Sequence, residues 1–124
     1  MAGIHGNENV GTWTFTELAE YIQTHYKEFK QLLNTRMLII VPFINPQGFK
    51  NQRRGEQHCS ASATPSQCMN QEELDPNRDF PYNTSDCFNT STGRFTDQLF
   101  RSHLIISTFI FHGGTTVLSY PWGN

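Results

Sequence analysis

The chain has 124 residues and a formal charge of −2, with 36% apolar and only 16% charged side chains. That balance excludes a nucleic-acid binder working through bulk basicity, a coiled coil and a charge-rich disordered tail. No run approaches the ~18 apolar residues a membrane-spanning helix needs, and no basic-then-apolar leader opens these residues, so neither a transmembrane segment nor a signal peptide is expected within them. The apolar fraction is low for a self-sufficient domain of this length.

In chain order, Gly3 and Ile4 read as the end of a strand that delivers His5. Residues 8–33 then read as helix, because Val10, Trp13, Leu18, Ile22, Tyr26, Phe29 and Leu33 recur at three- to five-residue steps along one stripe, with a break near residues 24–27. Residues 37–41 form an apolar run without helical period, which predicts a buried parallel strand ended by Pro42. Residues 45–89 are rich in Gln, Asn, Ser, Pro and Gly, and a loop this long inside a domain is usually functional. A helix is predicted over residues 92–103, with Phe95, Leu99 and Phe100 on one face and Thr92 as its cap. Residues 105–111 read as a second buried strand broken by Gly113 and Gly114, and residues 116–120 as a short third one stopped by Pro121. Helix alternating with strand is an α/β layer pattern.

Three groups of residues carry chemistry. His5 and Glu8 stand three residues apart on a turn entering a helix, where both side chains point the same way and can grip one metal ion. An imidazole nitrogen beside a carboxylate oxygen suits zinc, although a plain surface His–Glu pair has the same spacing. His112 lies at the end of the strand predicted over 105–111, and strand carboxyl ends are where α/β sheets bind ligands. Two histidines and one glutamate leave a fourth tetrahedral position open, the composition of a catalytic rather than a structural zinc site. Asn77 and Arg78 form the third group, a donor beside a planar fork matched to a carboxylate. The plainer alternative is an Arg78 salt bridge to Asp75 or Asp79.

The cysteines are three, Cys59, Cys68 and Cys87, an odd count that leaves one thiol over or a partner elsewhere. With His58 they form a Cys3His set in composition, but without the tight ligand pair such zinc sites use. Asn83 and Asn89 each open an Asn-x-Ser triplet, which together with a possible disulfide favours a secreted or lumenal protein.

Four segments in order, GIHGNE at 3–8, VPFINPQGF at 41–49, DPNRDF at 75–80 and FHGGTTVLSYPWG at 111–123, resemble the zinc metallocarboxypeptidases of the carboxypeptidase A/B/E type. The resemblance implies an α/β fold: part of a mixed, mainly parallel twisted sheet flanked by helices, over a partial catalytic domain at 1–124 truncated at both ends. It implies one zinc ion per chain on His5, Glu8 and His112, and hydrolysis of C-terminal amino acids from peptides or proteins. Asn77 and Arg78 then match the pair that binds the substrate's free C-terminal carboxylate. An oxyanion-stabilising arginine matches Arg53 or Arg54, with Arg54 favoured. By the same resemblance Cys68 and Cys87 pair as a disulfide. The family's general-base glutamate and capping tyrosine fall beyond Asn124, so the segment alone is expected to lack turnover. A zinc and peptide-tail binding module, or a zinc amidohydrolase of the aspartoacylase kind, are the alternatives.

Overall fold

The structure, a computed structural model, describes residues 1–57, 64, 72–81 and 87–120. Its centre is a layer of three extended segments. Residues 1–4 lie in the middle, and on one side the Ala2 amide donates to the Val41 carbonyl (2.9 Å), while the Ile44 and Asn45 amides donate back to Ala2 (2.9 Å) and Gly3 (3.1 Å). On the other side the Phe111 amide donates to the Met1 carbonyl (3.0 Å), and Ala2 forms a parallel bridge with Phe111. Residue numbers rise together along all three segments, so they run in the same direction.

Helix α1 (Asn9–Thr24) covers this layer through Gly11, Thr12 and Phe15. A Cβ on Gly11 would stand 2.6 Å from the Phe111 side chain and 2.9 Å from that of Ala2, so only glycine lets the helix approach so closely. Phe15 meets Phe111 edge to face, centroids 4.9 Å apart. The predicted break falls at His25, whose amide still bonds to Tyr21 before α2 (Tyr26–Leu33) begins. Helix α3 (Pro46–Asn51) starts at Asn45, a fully buried side chain that accepts from the Gly48 amide (2.8 Å) and donates to the Ile4 carbonyl (3.2 Å). Strands β1 (Glu56–Gln57) and β2 (Glu73–Leu74) pair antiparallel, and a 3₁₀ turn follows at Pro76–Arg78. Helix α4 (Ser91–Ser102) closes the described order, and Met1, Ile4 and Ile44 form the core with Val41, Phe80 and Leu99 against them.

The chain is thus a mixed arrangement of helices and a small sheet, in keeping with an α/β carboxypeptidase domain, and differs from expectation in three places. The strands predicted over 37–41, 105–111 and 116–120 form no regular ladder among the described residues, apart from the single bridge at Phe111. A buried parallel strand is covered on both faces, and here Leu104 and Ile106 are 95% and 81% exposed. The apolar stripe expected to bury along α1 is turned outward at Val10 and Trp13, because the glycine at 11 sets the packing face instead. Helix α4 begins one residue earlier than predicted and is capped by Thr90; the Thr92 hydroxyl instead bonds to the Glu56 carboxylate (2.8 Å).

Candidate metal centre

His5 and Glu8 sit on one turn, closed by the Glu8 amide donating to the His5 carbonyl (3.1 Å). That turn follows the central extended segment, while His112 follows Phe111 on the neighbouring one. The parallel pairing of Ala2 with Phe111 therefore delivers both histidines at the same end of the layer. Their rings lie 5.0 Å apart between centroids. Glu8 sits between them: Oε1 lies 2.8 Å from His5 Nδ1, and Oε2 lies 2.9 Å from His112 Nδ1 and from the Gly113 amide.

The nitrogens of His5 and His112 and a Glu8 oxygen all fall within 4.8 Å of one another. Two imidazoles and one carboxylate are a donor set that zinc accepts, and three protein ligands leave one coordination position for water or substrate. The other face of His5 reinforces the fit. Its Nε2 lies 2.9 Å from Asp75 Oδ1, and an Nε2–H directed at that carboxylate leaves the Nδ1 lone pair for a metal. Asp75 is itself held by the Asn77 amide (2.8 Å) as the cap of the 3₁₀ turn. Sequence reading did not single out Asp75 as part of this site. Its signal was a position two residues ahead of Asn77, across Pro76.

Arg54 reaches the same cluster. Its guanidinium donates to Glu8 Oε1 (3.1 Å) and Asp75 Oδ2 (3.2 Å). The loop carrying it is anchored where the Gly6 amide meets the Arg54 carbonyl (3.0 Å) and where the Gly55 amide donates to the Glu73 carboxylate. A Cβ on Gly6 would overlap the backbone of Gly48 and Phe49, so the metal-site turn and α3 pack main chain to main chain. Arg53 donates its own amide to the Gly48 carbonyl (2.9 Å).

Two carboxyls here are shifted. Burial pushes Glu8 upward, but the Gly113 amide and the two imidazoles outweigh it and hold Glu8 below its ordinary value. Burial acts likewise on Asp75 and is outweighed by the His5 and Asn77 hydrogen bonds and by Arg54.

Asn77 is half-buried and Arg78 exposed on the 3₁₀ turn. Neither carboxylate considered as an Arg78 partner takes it. Asp75 serves His5, Arg54 and the Asn77 amide, while Asp79 is buried and accepts from the Asn89 amide (2.8 Å) and from the amide (2.7 Å) and hydroxyl (2.6 Å) of Thr90. Among the described residues Arg78 forms no salt bridge, and its guanidinium donates to the Asn77 carbonyl (3.2 Å). Cys87 is a half-buried free thiol among the described residues, and its expected disulfide partner Cys68 lies outside them. Cys68, Cys59, His58 and Asn83 lie outside the described residues, whereas Asn89 is exposed immediately before the Thr90 cap.

The family model for zinc carboxypeptidases matches residues 1–124. Carboxypeptidase D of Rattus norvegicus is 30% identical over 98% of this chain and 8% of its own length. Carboxypeptidase M of Mus musculus is 29% identical over 100% of the chain and 28% of its own length, and carboxypeptidase Z of Mus musculus 28% identical over 98% and 22%. The chain thus spans less than a third of the length of each of these curated relatives. No solved structure matches it. The chain belongs to the zinc carboxypeptidase family.

Proposed function

We propose that these residues hold the metal ligands and the carboxylate clamp of a metallocarboxypeptidase that removes C-terminal amino acids from peptides or proteins. The observation that carries this reading is the convergence of His5, Glu8 and His112 from two neighbouring segments onto a volume small enough for one ion. A bound zinc ion supplies Lewis acidity toward the scissile carbonyl and toward water. Asp75 fixes the His5 ring and its tautomer. Arg78, which forms no salt bridge among the described residues, and Asn77 beside it receive the substrate's terminal carboxylate. Arg54, rather than Arg53, stands at the metal ligands and is the residue we assign to the developing oxyanion. Among the described residues the carboxylates at the cluster are Glu8 and Asp75, and both are occupied by ligand and support roles, which leaves neither as a general base. That same observation favours a second reading, a zinc and peptide-tail binding module without turnover. The amidohydrolase alternative loses ground, because the relatives matched are carboxypeptidases. The exposed Asn89 triplet supports a lumenal or extracellular setting.

The test is an assay of the protein carrying this segment, loaded with zinc, on one peptide presented as free acid and as C-terminal amide. We expect the acid alone to lose its last residue. Binding of the acid without cleavage would establish the second reading, and cleavage of the amide at equal rate would refute the Asn77–Arg78 clamp.

A further inference from the structure

We infer that Arg54, besides facing the oxyanion, competes with the metal for Glu8, offsetting part of the negative charge of Glu8 and Asp75 and giving up the Glu8 carboxylate when an ion enters. The inference rests on the proposed zinc site. A single guanidinium spans two acidic groups, donating to Glu8 Oε1 and to Asp75 Oδ2 from different nitrogens. Glu8 Oε1 is also the oxygen that faces His5 Nδ1, so the oxygen that Arg54 engages borders the space an ion would fill. A divalent ion there would both require a Glu8 oxygen and repel the neighbouring guanidinium.

The surroundings allow the exchange. The Arg54 side chain is 50% exposed, so its outer atoms can move without disturbing packing. Its backbone is held, by the Gly6 amide on its carbonyl and the Gly55 amide on Glu73, so the side chain moves and the loop does not. Asp75 Oδ2 remains as the second attachment once Glu8 is released. Because the other Asp75 oxygen holds His5, the freed guanidinium stays beside the metal ligands, with one nitrogen available to an anion. The ion pair and the metal complex are therefore alternative states of Glu8, and each weakens the other.

The experiment is a competition titration of the chain against a fluorescent zinc chelator, comparing wild type with R54A and R54K at low and high salt. Removing the competing pair is expected to tighten zinc binding about fivefold at low salt, the upper end for a partly exposed ion pair. The gap should narrow at high salt as screening weakens the wild-type pair. R54K, which keeps the charge but not the fork, should fall between. Equal or weaker binding by R54A, or a gap indifferent to salt, would overturn the inference. Circular dichroism melts check that R54A is folded, and R54Q takes its place if it is not. Failure of the wild type to bind zinc at all would instead count against the metal site itself.

Discussion

At the scale of single residues, Asp75 shows how a support position differs from a ligand. It touches His5 Nε2 on one oxygen and Arg54 on the other, and it caps the turn that presents Asn77 and Arg78. Asp75→Asn keeps the shape but removes the charge that orients the imidazole. Zinc affinity should fall roughly 10- to 100-fold with little change in secondary structure, measured by chelator competition. A second prediction concerns pH. Glu8 and Asp75 are both held below their ordinary values in the folded chain, so their ionised forms stabilise it. That contribution is complete above the ordinary carboxylate values and is lost as pH falls through the lower folded ones. The urea midpoint of the metal-free chain should therefore decline as pH drops below about 4, and a midpoint flat to more acidic pH would contradict it. The cluster of His5, Glu8 and His112 was legible in the sequence because His5 and Glu8 share a turn and His112 ends an apolar run. Asp75 was not, because its partner His5 lies 70 residues away and no local pattern records that contact.

At the scale of elements, the helices were readable and the strands were not. The break between α1 and α2 and the body of α4 follow from local spacing and caps, which the chain carries in each segment. Strand pairing depends on which segment lies alongside, and residues 105–110 have the apolar content of a buried strand without a ladder among the described residues. The start of α4 shows how a tertiary contact shifts a local reading. Thr90 caps the helix by accepting from the Gly93 amide (2.9 Å) and simultaneously donates to buried Asp79. Thr92, two residues further on, is drawn to Glu56. A Cβ on Gly93 would stand 2.6 Å from the Asp79 carboxylate, so this corner also requires glycine. Thr90→Ala should cost about 1–2 kcal/mol in denaturant unfolding, and Thr90→Ser should recover most of it. Because Asp79 also holds Asn89, this corner links the end of the DPNRDF segment to α4, and through it the placement of Arg78.

At the scale of the whole molecule, a low apolar fraction coexists with many exposed apolar side chains. Among the described residues the buried apolar ones are few, Met1, Ala2, Ile4, Phe15 and Ile44, while Val10, Trp13, Met37, Leu104 and Ile106 face outward. Even so, the three-segment layer is enough to bring His5, Glu8 and His112 together, which makes the metal site the most direct test of the account. The measurement is zinc bound per chain after equilibrium dialysis, by elemental analysis, for wild type and for His5→Ala, Glu8→Ala and His112→Ala. The account predicts one zinc per wild-type chain and none retained by any of the three variants, each still folded by circular dichroism. Wild-type stoichiometry that survives loss of His112, or no zinc bound by a folded wild-type chain, would contradict it.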